Sequence, residues 1–132
     1  MSQPGALSGD DLRALLKKSF ADHDSDYPRQ DNVTEQLIFG STGEALKIIM
    51  LLSGIGRRDD DLDEKQAQAA ALIDRYNNAR ATLITAVTRV TGDAAKSVAI
   101  ADTTLSEMAQ QYAVDNMIRH VQPPRDQSPR QR

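Results

Sequence analysis

The chain has 132 residues, 39% of them hydrophobic and only 4% aromatic, with 16 Lys and Arg against 19 Asp and Glu. That length predicts one domain with a core of its own, and its many alanines favour helices. The lack of cysteine excludes disulfides, thiol catalysis and thiolate metal sites, and it agrees with a reducing cytoplasm.

No secretory signal peptide is predicted at the start of this sequence. Residues 1–7 lack the basic and apolar blocks of a signal peptide, and we expect them to be disordered. No run of about 18 consecutive apolar residues follows, so no membrane span is expected. We therefore expect a cytoplasmic protein without a membrane partner.

A first helix is predicted from residue 8 to about Asp22. Ser8 and Asp11 have the spacing of a capping box, and the apolar side chains that follow share one helical face. They are Leu12, Leu15, Leu16 and Phe20. Residues 23–32 then read as a loop, because Pro28 disfavours helical geometry at the residue before it.

The second helical segment is interrupted by glycine in the sequence. Residues 33–39 predict one or two helical turns, after which Gly40 and Gly43 follow. Ser41, three residues before Glu44, resembles a second capping box, so a helix is expected from about 42 to 53. Whether the chain stays helical through Gly40 is open at this point, since glycine costs about 1 kcal/mol in a helix interior without forbidding it.

Two long helices are predicted from residue 59 to about 121. Asp59, Asp60 and Asp61 can cap the first of them, and Gly92 is a natural stop. Asp93 can cap the second, which ends before Pro123. The predicted fold is all-α, a helical bundle built on a long antiparallel helical hairpin, about 59–121, with two shorter N-terminal helices. The predicted domain spans 8–121, and 122–132 form a disordered basic tail.

An apolar seam follows the predicted hairpin. Five residues recur every seventh position on its first helix, and the second helix continues a three-four alternation. The first helix would be about 50 Å long, against about 30 Å for a small domain. We therefore expect the first half of the chain to be too short to cover the whole seam, so that the seam pairs with a second copy or a partner. The alternative is a monomeric four-helix bundle that closes over the same residues. The interface residues predicted in this way are Leu62, Ala69, Tyr76, Leu83, Val90, Leu105, Met108 and Tyr112.

Acidic clusters give no convincing chemical site. Residues 59–63 have the Asp-Asp-x-x-Asp spacing that holds magnesium on a diphosphate, but a second acidic cluster on a facing helix is missing. Residues 22–26 alternate carboxylates like a calcium loop, yet the required glycine and glutamate are replaced by Tyr27 and Val33. No catalytic, cofactor-binding or metal-binding residue is therefore predicted. A metal-dependent hydrolase using Asp60, Asp63 and Glu64 is kept as an unfavoured alternative.

Charge is distributed unevenly along the chain. From Arg119 onward there are four arginines and a single acid, whereas the rest of the chain is acidic. Arg125, Arg130 and Arg132 are the candidate nucleic-acid contacts, although a solvated terminal arm explains them better. The basic residues of the third helix spread around its exposed arc, which is typical of a solvated face; they are Arg75, Arg80 and Arg89.

The sequence therefore favours binding without catalysis. We expect a non-catalytic helical protein–protein interaction module, a small cytoplasmic accessory or adaptor protein that acts as a homodimer or docks on a larger protein. By class, though not by sequence resemblance, such proteins include secretion chaperones and accessory factors of phage or plasmid systems. The alternative is a nucleic-acid-associated regulator that uses the basic tail on a dimeric helical body.

Overall fold

The computed structural model describes residues 7–28, 32–57 and 61–121, and within these ranges it contains four α-helices and no strand. They are α1 (Gly9–Asp22), α2 (Asn32–Arg57), α3 (Leu62–Thr91) and α4 (Ala94–Val121). The side chains of 56–57 and 114–121 are outside the description. The predicted all-α class is confirmed. The predicted disorder of 1–7 is contradicted at Leu7, which packs against the core; residues 1–6 and 122–132 lie outside the described residues.

The starts of α1 and α3 are fixed by the predicted caps. The Ser8 hydroxyl accepts a hydrogen bond from the Asp11 amide, and the Asp11 carboxylate accepts one from the Ser8 amide, both at 3.1 Å. The Asp61 carboxylate accepts from the Glu64 amide at 3.3 Å. These carboxylates also lie near the positive ends of the helix dipoles, which favours negative charge there.

Only Gly92 and Asp93 separate α3 from α4. Gly92 has φ 68, the left-handed conformation that glycine adopts without strain, and its amide donates to the Thr88 carbonyl at 2.8 Å. The Asp93 carboxylate then accepts from the Lys96 amide at 3.0 Å and caps α4. The predicted stop and restart of the chain at this position are confirmed.

The expected helix start near residue 42 is wrong, because α2 is continuous for 26 residues and passes through Gly40, where continuity was left open. Ser41 does not cap a helix start; its hydroxyl lies mid-helix and donates to the Leu37 carbonyl at 2.7 Å. Gly40 and Gly43 keep helical geometry, since the apolar residues around them gain more from burial than glycine costs. Those buried residues are Ile38, Ala45, Leu46, Ile48 and Ile55.

The continuity of α2 predicts that Gly40→Ala stabilises the fold. A Cβ built on Gly40 meets nothing within 4 Å, so alanine adds helix propensity without a clash. We expect the free energy of unfolding to rise by about 0.5–1 kcal/mol. Urea unfolding at low protein concentration measures it, and a decrease in stability would show that the helix is strained at this point.

The helix α3 lies between α2 and α4, while α1 packs mainly on α4 and also contacts α2. An ion pair at 2.8 Å joins Glu44 of α2 to Arg75 of α3, and another at 2.8 Å joins Arg80 of α3 to Asp102 of α4. The core between the helices includes the fully buried Phe20 and Leu83. A long α2 therefore lies beside α3, where the sequence predicted a helix of only twelve residues.

The helix α2 also has the composition of a membrane span. Within the described residues, the stretch Asn32–Ile55 is the one helical segment long and apolar enough to cross a bilayer, and 39% of its most apolar window is buried in the fold. Core helices of soluble proteins have the same length and composition. The expectation of no membrane segment stays a prediction.

Candidate interaction surface

The structure buries half of the predicted interface residues inside the chain itself. Leu83, Leu105, Met108 and Tyr112 are all buried and belong to one apolar cluster that draws on every helix. Tyr76 and Val90 are partly buried and pack against that cluster. A contact between the four buried side chains and a second protein would require the helices to separate.

The remaining predicted interface residues lie at the start of α3. Ala69 is half-buried and Leu62 is 66% exposed. No side chain between residues 62 and 78 of α3 is buried; the buried positions begin at Ala79. The predicted seam is therefore buried along the second half of α3 and at most partly buried along the first.

Four exposed apolar side chains mark the uncovered part of the molecule, which we call the apolar tip: Met50, Leu51, Leu62 and Ile73. The Glu44–Arg75 contact places α2 and α3 side by side, and all four residues lie between that contact and the connection from α2 to α3. They are between 42% and 66% exposed. Several large apolar side chains exposed at one end of a small protein are typical of an interaction site.

A second surface, which we call the outer groove, lies between α2 and α3. Two adjoining cavities of about 450 and about 250 Å³ form it, and Leu37 and Thr82 line both. The larger cavity is lined in addition by Gly40, Glu44 and Arg75. Arg89 lines the smaller one. The lining mixes polar side chains such as Glu44 and Arg75 with small or apolar ones such as Ala79 and Leu37.

An ion pair joins α3, one wall of the groove, to α4. Arg80 Nε lies 2.8 Å from Asp102 Oδ1 and Arg80 Nη2 lies 3.1 Å from Asp102 Oδ2, a two-point contact. The hydrogen bond from Arg80 lowers the pKa of the Asp102 carboxyl, while burial raises the pKa of the neighbouring Tyr76. Arg80 is therefore engaged with α4, where the sequence predicted a solvated side chain.

The acidic clusters form no metal site in the described part of the chain, where no group of three or more His, Asp or Glu side chains could hold an ion. Asp61 caps α3, and Asp59 and Asp60 lie outside the described residues. His23 contacts the Thr103 hydroxyl at 3.4 Å. Arg125, Arg130 and Arg132 also lie outside the described residues, so their predicted contact with nucleic acid stays a prediction.

Comparison with protein-family models, with curated proteins and with solved structures finds no match to this chain. The surfaces themselves must therefore indicate the function. The sequence reasoning identified Leu62 at the apolar tip but missed the outer groove. The seven-residue spacing of Arg75, Thr82 and Arg89 shows that they share one face of α3. It does not reveal a groove, because the second wall of the groove is formed by α2.

Proposed function

We propose that this protein is a non-catalytic helical interaction module, a small accessory or adaptor protein that self-associates and binds a partner protein. The single observation that carries the proposal is the apolar tip. Two of its four side chains lie within residues 62–78 of α3, where no side chain is buried. Of these two, Leu62 is 66% exposed and Ile73 is 49% exposed. Covering such side chains by a partner releases free energy at about 25 cal/mol per Å² of apolar area.

The finer arrangement of the predicted fold belongs to the same proposal. We take α3 and α4 to form the antiparallel hairpin on which the module is built. A connection of two residues and the Arg80–Asp102 pair, placed at similar distances from that connection, support this arrangement. The hairpin would then hold the start of α3 as an extended edge, with α2 beside it.

The partner at the tip can be tested by affinity capture from the native host. We expect the full chain to retain a specific protein that the double variant Leu62→Ser, Ile73→Ser does not retain, because serine removes the apolar contact without disturbing a buried position. The matched control is Gln66→Ser, Asn77→Ser, which changes two exposed polar residues of the same helix. Equal capture by all three proteins, with circular dichroism showing them folded, would contradict a binding role for the tip.

A second candidate function is supported by the charge distribution. The four arginines from Arg119 onward contrast with the acidic remainder, which suits a nucleic-acid-associated regulator whose tail adds salt-sensitive affinity. Deletion of residues 122–132 should then weaken binding to DNA or RNA at low salt, measured by fluorescence anisotropy. No binding by the full chain under those conditions would remove this candidate.

A further inference from the structure

The end of α4 lies beside the start of α3 in the proposed hairpin. The Arg80–Asp102 pair fixes the level at which the two helices meet, with Arg80 Nε 2.8 Å from Asp102 Oδ1. Leu62 lies 18 residues before Arg80, and Val121 lies 19 residues after Asp102. These separations are about 27 and about 28 Å along helices that run in opposite directions. The last residue of α4 is therefore level with Leu62 of the apolar tip.

The residues that follow Val121, which we call the C-terminal segment, are residues 122–132. They lie outside the described residues, and their sequence contains three prolines. Eleven residues in the extended conformation that proline favours span about 34 Å, at about 3.1 Å each. Since packed helices lie about 10 Å apart, this length is sufficient to reach α3 and, beyond it, Met50 and Leu51 of α2.

The apolar tip and the C-terminal segment carry opposite charges. The cap and first turn of α3 have three exposed acids, Asp61, Asp63 and Glu64, and one half-buried base, Lys65. The stretch 47–74, which contains the whole tip, has six acidic and four basic side chains. The C-terminal segment has three arginines and one acid, a net charge of +2. Proline rings and arginine stems are apolar as well, which suits a surface where acids surround apolar side chains.

We propose that the C-terminal segment folds back over the apolar tip of its own chain, and that a partner protein must displace it to bind there. Its prolines and arginine stems contact Leu62 and the apolar neighbours of Leu62, while its guanidiniums lie near the carboxylates of Asp63 and Glu64. Because α4 tethers the segment, its effective concentration at the tip is of the order of millimolar, so even a weak contact is populated.

This inference rests on the hairpin and on the binding role of the tip in the proposed function, and it adds the regulation of that site. Charge complementarity and the position of Val121 favour the chain's own segment over other occupants of the tip. The C-terminal segment of a second copy is the competing occupant, and the experiments below separate the two.

A spin label on the C-terminal segment tests the contact. The chain has no cysteine, so Ser128→Cys accepts a single nitroxide label. The backbone amide signals of Leu51 and Leu62 should lose most of their NMR intensity, whereas that of Thr91, at the far end of α3, should keep it. The loss should weaken at about 1 M salt, where charges more than about 3 Å apart are screened. Equal intensities at Leu62 and Thr91 overturn the proposal.

A mixing experiment shows which chain the segment contacts. The spin-labelled chain at natural isotope abundance is mixed with an equal amount of unlabelled chain enriched in ¹⁵N. The amide signal of Leu62 in the enriched chain should then keep its intensity, because the contact is made within one molecule. A loss as large as in the directly labelled chain assigns the contact to a second copy and overturns the proposal.

Neutralising the acids at the start of α3 tests the charge complementarity. Asp63→Asn with Glu64→Gln leaves the cap at Asp61 in place and should weaken the signal loss. Asp10→Asn with Asp26→Asn is the matched control, because it removes two exposed charges outside the tip, one of them from the first turn of α1. Equal signal loss in the two double variants, both folded by circular dichroism, overturns the proposal.

Affinity capture from the native host distinguishes this inference from the function on which it rests. Deletion of residues 122–132 should increase the amount of partner protein retained by the tip several-fold, because nothing then has to be displaced. Unchanged or reduced capture overturns the regulation by the segment. If neither chain retains a protein while the spin label still weakens the Leu62 signal, the proposed partner role of the tip fails and the contact of the segment stands.

Discussion

Replacement of Leu83 by aspartate is expected to lower the free energy of unfolding by about 3–5 kcal/mol, because it buries a carboxylate without a partner. Leu83 is 1% exposed and belongs to the core cluster that joins α3 to its neighbours. The charged form cannot be hydrated at this position, and protonation of the carboxyl would still leave an unpaired polar group in the apolar core. Guanidinium unfolding followed by circular dichroism measures the loss.

The control for this variant must carry the same charge on the same helix. Asn77→Asp meets that condition at an exposed position and should change the free energy of unfolding by less than about 0.5 kcal/mol. Arg80 is unsuitable as the control site because it pairs with Asp102 of α4. Comparable destabilisation by Leu83→Asp and Asn77→Asp would mean that burial is not the cause.

The helix ends were predictable from the sequence because their determinants are local. Ser8 with Asp11, and Asp61 with Glu64, act across three residues, a distance that any sequence window contains. Gly92 fixes the end of α3 through its own left-handed backbone. Such interactions need no knowledge of the neighbouring helices.

The continuity of α2 was not predictable by the same means. Gly40 and Gly43 weaken a helix locally, and only the burial of side chains such as Ile38 and Ile48 against other helices offsets that cost. Ser41 shows the same ambiguity, because the side chain that caps a helix start also bonds to a carbonyl one turn back. Tertiary packing decided between two local alternatives.

Periodicity predicted an apolar face on α3 but could not reveal what covers it. Leu62 and Leu83 occupy equivalent heptad positions, yet one is exposed and the other is buried by its own chain. The difference comes from the placement of the other helices along α3. The outer groove was harder still to predict, since Leu37, Gly40 and Arg89 share a surface only because α2 and α3 lie side by side.

Tyr27 lies in the predicted loop between α1 and α2, and its side chain belongs to the core. It is 8% exposed, and its ring meets Phe20 edge-on with centroids 5.6 Å apart. Its hydroxyl is the one buried side-chain polar atom in the described residues that has no hydrogen-bond partner. The ring contact stabilises the loop against α1, while the hydroxyl opposes burial.

Substitution Tyr27→Phe is therefore expected to stabilise the protein. It keeps the ring contact with Phe20 and removes a hydroxyl that is buried without a hydrogen-bond partner, with Glu35 and Arg13 near enough only to influence its pKa. The free energy of unfolding at neutral pH should therefore rise by about 1 kcal/mol. Urea unfolding measures the change. Tyr112→Phe is the matched control, since Tyr112 is similarly buried but its hydroxyl is not orphaned in this way. A loss of stability in Tyr27→Phe would show that the hydroxyl is paired in solution.

The stability of Tyr27→Phe should differ most from that of wild type at alkaline pH. Burial, followed by the charge of Glu35, raises the pKa of Tyr27 to about 12 from its ordinary value of 10.0. The folded state thus holds this proton more tightly, and the resulting stability is complete below pH 10 and is lost as the pH rises towards 12. With allowance for screening by the nearby charges of Glu35 and Arg13, the loss in wild type is about 1–2 kcal/mol. Tyr27→Phe lacks this loss, and Tyr76 titrates in both proteins, so its effect cancels. The free energies of unfolding of the two proteins, measured between pH 8 and 11, should diverge from about pH 10 upward. Parallel curves would contradict a raised pKa of Tyr27.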